Sequence, residues 1–313
     1  MQIHRGVSLD LKIENAVVTS GIFDGVHLGH QFLLNQLVAS AKKINGQSVV
    51  LTFWPHPKLV IQPQSNIKLI TDLEEKLLLL KQFGIDHVWI IPFNRDFSLL
   101  SSQDFIQEIL IKNLKAKRLI IGYDHKFGKN REGSFQYLIE NRNRYPFEIE
   151  EIAKQSVDEM AFSSSLIRKS LANGDVERCK ELMGHNYSLA GTVIKGKQNG
   201  RKIGFPTANI KVNFDNKLIP SDGSYFVKVR FLDNSVFTGM LNIGKRPTLE
   251  AGSSIEVYII DFEKDIYGEN LVVEFYKKIR EEIRFQSIEL LKEQLKLDKI
   301  STLAYFEQNL GSN

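Results

Sequence analysis

Up to about His185 the chain alternates short, β-branched apolar runs with stretches of helical periodicity, and this alternation constrains the fold more than any other feature of the sequence. The strand candidates are Ala16–Thr19, Ser48–Phe53, His87–Pro92, Arg118–Gly122 and Phe147–Ile152. Helical patterns lie between them, at Gln31–Lys43, Leu73–Phe83, Ser102–Leu114 and Ser134–Arg144. Strands that alternate with helices build right-handed βαβ units around a parallel sheet. The runs are almost unbroken in apolar residues, as strands covered on both faces require. Two further helices, Ser164–Ala172 and Asp175–Met183, flank a turn at Asn173-Gly174-Asp175.

Beyond His185 the pattern changes. Strand-like runs follow one another at Ser188–Ile194, Ser224–Phe231, Ser235–Leu241, Ile255–Asp261 and Leu271–Lys277. Asp222-Gly223, Asp233-Asn234 and Tyr267-Gly268 supply turns. This predicts a small antiparallel barrel or sandwich, closed by a helix that begins at Ile288. A chain of 313 residues is about twice a common domain length. The expected organisation is therefore an α/β, Rossmann-like parallel-sheet domain over residues 1–185 and a small antiparallel β-barrel domain with a terminal helix over residues 186–313.

Composition removes several functional classes. The formal charge of +4 is small and spread along the chain, which argues against nucleic-acid binding. No apolar run approaches the roughly 20 residues that span a bilayer, so no membrane association is expected. The one cysteine, Cys179, allows no intrachain disulfide and fits a cytoplasmic setting. With no histidine partner evident, Cys179 reads as a helix residue rather than a nucleophile. The N-terminus carries no apolar segment of the kind found in signal peptides. Nothing in the sequence sets an oligomeric state.

The first strand runs into Gly21-Ile22-Phe23-Asp24-Gly25-Val26-His27-Leu28-Gly29-His30. Glycines let backbone amides approach an anion, and the N-terminus of the helix that follows favours negative charge. His27 and His30 flank Gly29, so both imidazoles can face one phosphate chain. A glycine-rich turn with two surface histidines, or a pair of metal ligands, is the competing reading. Thr52–Pro57, Gly122–Gly133 and Ser163–Arg168 reach the same carboxyl edge of the sheet, where open α/β folds bind ligands. Individually these segments read equally well as a rigid turn, a strand exit and a helix cap.

In the second half, Gly191–Gly196 leads through the basic loop Gly200–Phe205 to Pro206-Thr207-Ala208-Asn209. Thr207 and Asn209 share one side of an incipient strand and offer oxygen donors suited to Mg²⁺. The spacing is not that of a Walker A loop, and a solvated hairpin is the alternative. Glu256, on an alternating strand, could accept the proton of an attacking alcohol; a surface carboxylate is the alternative.

Taken together, these motifs resemble the prokaryotic bifunctional riboflavin kinase/FAD synthetases. Gly21–His30 resembles that family's His-x-Gly-His nucleotidyltransferase motif, and the three other N-terminal segments resemble its remaining adenylyltransferase motifs in the same order. Gly200–Asn209, Leu241–Thr248 and Ile255–Gly268 resemble the riboflavin kinase module. The resemblance implies that riboflavin is phosphorylated by ATP to FMN in the second domain and FMN is adenylylated to FAD in the first, with Mg²⁺ at both steps. It further implies that ATP is held in the first domain by Gly21, Phe23, Asp24, Gly25, His27, His30, Asp124, Ser164, Ser165 and Arg168, with His27 and His30 stabilising the transition state. In the second domain it implies MgATP at Gly196, Gly204, Thr207 and Asn209, with Thr207 and Asn209 toward the metal. Glu256 would be the catalytic base, and Asn242 and Arg284 would lie by the flavin. His125 stands where the family usually has an aromatic, and Ser165 where it usually has threonine. The alternatives are a nucleotidyltransferase for another phosphorylated acceptor and a flavin-binding protein with one inactive domain.

Overall fold

Successive side chains of a strand point to opposite faces, and in the N-terminal sheet each face has its own core. Val18, Val49, Leu51, Trp89, Ile91, Leu119 and Ile121 join one apolar cluster, and Val17, Val50, Val88, Ile90 and Ile120 join another. Complete burial of each such side chain is worth roughly 1.5–3 kcal/mol, so a slip of register by one residue would exchange the two cores. A computed structural model of the chain describes residues 1–7, 11–122, 125–152, 163–196, 198–245 and 253–310. The chain divides into two compact units, Met1–Ser164 and Ser165–Asn313.

The first unit holds six parallel strands: β1 (Gln2–Arg5), β2 (Val17–Ser20), β3 (Ser48–Trp54), β4 (His87–Pro92), β5 (Arg118–Gly122) and β6 (Glu148–Ile152). Their spatial order is β1-β4-β3-β2-β5-β6. Strand order therefore reverses between β2 and β5, and a crevice at the carboxyl ends of such a pair is where α/β sheets bind nucleotides. Five of the strands fall where the sequence puts them. β1 is the addition: Gln2-Ile3-His4-Arg5 lacks apolar alternation and pairs only along β4. The segment read as one α-helix over Ser102–Leu114 is α-helical at Ser102–Asp104 and π-helical over Phe105–Asn113. The widened turns bring Phe105, Ile106, Ile109 and Leu110 into the core together, and the Leu114 N–H reaches back five residues to the Ile109 carbonyl.

In the second unit, β7 (Ser188–Ile194), β8 (Ala208–Val212), β9 (Gly223–Phe231), β10 (Val236–Lys245), β11 (Ser253–Ile259) and β12 (Asn270–Arg280) close an antiparallel barrel in the order β10-β11-β8-β7-β12-β9. Tyr225, Val227, Leu241, Val257, Val273 and Phe275 are buried in it. The helix Ile288–Leu310 is tied to β12 by Arg280, whose guanidinium donates to buried Asp298 at 2.9 Å. The helices Ser164–Ala172 and Val176–Met183 also meet this unit, through a Glu177–Lys277 ion pair of 3.4 Å and a Ser221 N–H to Leu171 carbonyl bond of 3.0 Å. These contacts put the compact division ahead of the change in sequence pattern near His185. Among the described residues no helix is long and apolar enough to cross a membrane.

The edge strand β1 depends on two histidines. His4 Nε2 and His87 Nδ1 lie 3.0 Å apart, so one donates and the other accepts. His87 Nε2 is buried without a partner among the described residues. Burial is the first cause that holds both imidazoles below the ordinary value of 6.5, and for His87 the neighbouring His4 lowers it further. A histidine whose folded pKa is depressed contributes stability above its unfolded pKa and loses that contribution as pH falls below it. Hydrogen exchange should accordingly show lower protection of Gln2–Arg5 at about pH 5.5 than at about pH 7.5. His87→Asn should remove the difference; equal protection at both pH values in the unmodified protein would contradict this.

Candidate active sites

The loop that leaves β2 at the strand-order reversal is held in a tight, left-handed path. Phe23, Gly25 and Val26 all have positive φ. At Gly25, φ is +83° and a Cβ would come within 2.9 Å of Ile70, so this position requires glycine. Asp24 is only 3% exposed, and its carboxylate accepts the N–H groups of Ile70 and Thr71, each at 3.0 Å, and the Thr71 hydroxyl at 3.3 Å. The Gly25 N–H donates to Thr71 Oγ1 at 3.1 Å. The Ser164 hydroxyl donates to the Asp24 carbonyl at 3.0 Å, and Thr52 Oγ1 to the Ile22 carbonyl at 3.3 Å. Three segments far apart in sequence thus meet on one loop: the end of β3, the turn before the helix Leu73–Gln82, and the start of the helix at Ser164.

That loop delivers two imidazoles to one point. His27 caps the helix Leu28–Lys43, with Nδ1 accepting the His30 N–H at 3.4 Å. The two rings stack with centroids 3.6 Å apart, and Phe23 lies 5.1 Å from the His30 ring. Burial, then His27, then Lys76 push His30 well below the ordinary histidine range. His30 is therefore neutral in the free protein and can donate an N–H without placing a second cation beside His27. His30 Nδ1 is buried with no partner among the described residues.

The remaining N-terminal expectations sort as follows. Gly21 packs on the Phe23 ring, and Phe23 is itself buried. His56 caps the short helix Pro57–Ile61, accepting the Lys58 N–H at 3.1 Å. His125 bonds to Ser20 Oγ at 3.1 Å and stacks on Phe127. Ser165 and Arg168 follow Ser164 on its helix, within the second compact unit. Asp124 lies outside the described residues.

On the barrel, register assembles the second cluster. Ser224 pairs with Asn242, Asn242 with Glu256, and Glu256 with Asn209, giving one polar row across β9, β10, β11 and β8. Register partners share a face, and this row lies opposite Tyr225, Leu241 and Val257. Both Glu256 oxygens are engaged: the Thr207 hydroxyl donates to Oε2 at 3.1 Å and the Ser254 hydroxyl to Oε1 at 2.9 Å. Ser224 donates to Asn242 Oδ1 at 3.2 Å. Gly196 lies flush against Asn209, where a Cβ would stand 2.1 Å from the amide nitrogen. Gly204 sits at φ +84° in the loop before Thr207. Arg284 is exposed between β12 and the terminal helix. Arg246–Thr248, the end of the Leu241–Thr248 motif, lies outside the described residues. Among the described residues no three His, Cys, Asp or Glu side chains form a metal cluster.

Sequence reasoning missed Lys76 and Ser254. Lys76 interrupts the apolar face Leu73, Leu77, Leu80 of its helix, and a lysine at a core position is itself a signal. Ser254 stands two residues before Glu256 on one strand face, a spacing that places its hydroxyl beside the carboxylate.

Comparison with known proteins identifies a module in each half of the chain. A family model described as FAD synthetase matches residues 10–166, and one described as riboflavin kinase matches residues 183–306. A bifunctional riboflavin kinase/FMN adenylyltransferase from Listeria monocytogenes is 39% identical over 93% of this chain and 93% of its own length. The protein of that name from Haemophilus influenzae is 37% identical over 98% of this chain and 99% of its own. The chain belongs to this family. A solved structure titled a macrolide-efflux protein, from Streptococcus pneumoniae, also matches, with a TM-score of 0.85 and 30% identity over 95% of this chain and 98% of that one. As a riboflavin kinase/FMN adenylyltransferase family member, the chain is an ATP-using transferase with one module for each activity.

The grip of Asp24 on its neighbouring turn is directly measurable. Asp24→Ala leaves the Ile70 and Thr71 N–H groups without their acceptor, at about 1–3 kcal/mol of stability. Urea denaturation should show that loss, and hydrogen exchange should show faster exchange at Ile70 and Thr71. Unchanged protection at both amides would refute the role.

Proposed function

We propose that residues 186–313 phosphorylate riboflavin to FMN and that residues 1–185 adenylylate FMN to FAD, with the two residue clusters above as the respective active sites. The observation that carries this reading is the presence of two separate clusters suited to phosphate transfer, one at the strand-order reversal of a parallel sheet and one on a barrel. In the kinase step Glu256 removes the proton of the ribityl 5′-hydroxyl. That oxygen forms a bond to the γ-phosphorus of ATP while the bond to the β-phosphate oxygen breaks, releasing ADP. Ser254 holds one carboxylate oxygen in place, and Asn242 borders the flavin with Arg284.

Phosphoryl transfer needs positioning and charge neutralisation more than covalent help. Thr207 and Asn209, set beside the base Glu256, offer hard oxygen donors that fit Mg²⁺ together with ATP phosphates and water. Bound there, the ion would neutralise charge on the triphosphate; Gly196 and Gly204 leave room for backbone approach.

In the adenylyl step an FMN phosphate oxygen attacks the α-phosphorus of ATP and pyrophosphate leaves. His27 and His30 donate hydrogen bonds to the phosphates, and the negative charge they meet favours drawing a proton onto the stacked pair. Ser164 completes the nucleotide contacts, with Gly21, Phe23, Asp24 and Gly25 forming the loop beneath; the family resemblance assigns Asp124, Ser165 and Arg168 to nucleotide binding as well. A cytoplasmic setting fits the single cysteine: Cys179 is buried, its thiol is pushed up to about 12 chiefly by burial, and it has no part in the chemistry.

The two sites should separate by mutation. Glu256→Ala should lower FMN formation by about 10²-fold or more while added FMN is still converted to FAD. His30→Ala should halt the sequence at FMN. Chromatography of products from the full-length protein checks both, and loss of both activities in either folded variant would break the assignment. Chelation of divalent cations with EDTA should stop both steps, and added Mg²⁺ should restore them; turnover persisting under EDTA would remove the metal from the account.

A further inference from the structure

Lys76 sits on the first turn of the helix Leu73–Gln82 with only 2% of its surface exposed. Among the described residues its ammonium makes no hydrogen bond and no ion pair within 4.0 Å. Its Nζ lies 5.4 Å from the centre of the Trp54 ring, at the carboxyl end of β3. An unpaired buried ammonium costs several kcal/mol, so a structural role alone is served better by leucine or methionine, as at neighbouring Leu73, Leu77 and Leu80. The helix start that carries it is fixed by reciprocal bonds between Asp72 and Glu75 and by the grip of Asp24 on Ile70 and Thr71.

We propose that Lys76 is a positioning residue for adenylyl transfer: a cation held beside Trp54 at the carboxyl end of β3, on the helix whose start Asp24 anchors, it presets this edge of the sheet for the triphosphate. This rests on the reading of that sheet edge as the adenylyl-transfer site. The groups that act on the cluster are Asp24 from the loop, and His30 with His27 stacked on it. On its own helix Glu75 turns its carboxylate to the Asp72 N–H at 2.9 Å. Burial lowers Lys76 to about 8 and the Asp24 charge partly restores it, so the ammonium persists at neutral pH and is lost just above it. Its positive charge in turn holds His30 down. When polyphosphate enters, the same cation is already fixed beside Trp54 at the carboxyl end of β3, so neutralising charge at this edge needs no rearrangement.

The test uses the full-length protein with FMN, ATP and Mg²⁺, and FMN formation from riboflavin serves as the control for folding. Lys76→Met should lower kcat for FAD formation by about tenfold or more and leave FMN formation unchanged. By NMR, the His30 imidazole, assigned against His30→Gln, should titrate at higher pH in Lys76→Met than in the unmodified protein, because a cation has been removed. In the unmodified enzyme the rate of FAD formation should fall above about pH 8 as Lys76 loses its proton; Lys76→Arg, whose charge does not titrate in this range, should keep most of the activity and not show that fall. Full FAD formation by Lys76→Met with an unmoved His30 titration would overturn the proposal. Should Lys76→Met fail to fold, the Arg variant decides: an alkaline limb identical to that of the unmodified enzyme overturns it. His30→Ala separates the two levels. If that variant still forms FAD, the reading of this edge as the adenylyl site fails; if it does not, only the role of Lys76 is at stake.

Discussion

The carboxylate of Asp24 is buried, and a buried carboxylate needs hydrogen-bond donors, which Ile70 and Thr71 supply. That requirement fixes the path of the loop from β2, and the loop fixes everything above it. With Asp24 turned into the protein, Gly25 must take a left-handed conformation against Ile70, and His27 then falls at the helix cap with His30 stacked upon it. Ser164 closes the arrangement by donating to the backbone of the same residue. A buried acceptor that cannot be left unsatisfied thus ties a glycine-rich turn down as the support for two imidazoles.

A second carboxylate does the same in the barrel. Glu256 is held at both oxygens, by Thr207 and Ser254, and the antiparallel register places Asn242 and Asn209 on either side of it. The supporting strands are rigid because their opposite face is apolar and buried. Positioning of this kind suits phosphate transfer, in which the protein contributes geometry and charge rather than a covalent intermediate. The two sites share a physical strategy without sharing a fold, which is how one chain carries two successive transfers.

Much of this was legible in the sequence because the signals are local. Continuous apolar runs specify strands covered on both faces, and five of the six sheet strands follow from them. Gly21–His30 and Gly200–Asn209 carry their chemistry in adjacent residues. What escaped depends on contacts between distant segments. β1 is polar and is defined by its partner β4, through His4 and His87. β8 begins with Ala208 and Asn209, and only pairing with β7 and β11 marks it as a full strand. The π-helical turns over Phe105–Asn113 answer to packing, not to propensity. Asp24 was legible as part of a phosphate loop, but the turn of its carboxylate toward Ile70 and Thr71 was not. Lys76 meets Trp54 only in the folded chain, whereas Ser254, two residues from Glu256 on one strand face, was open to a sequence reading.

The central claim is that one chain performs two phosphate transfers in sequence at two independently assembled sites. It is tested most directly by incubating the pure full-length protein with riboflavin, ATP and Mg²⁺ and following flavins by chromatography over time. The account predicts that FMN rises first and then declines as FAD accumulates. Absence of both products, or FAD that appears from riboflavin with no kinase product ever formed and no conversion of added FMN, would contradict it.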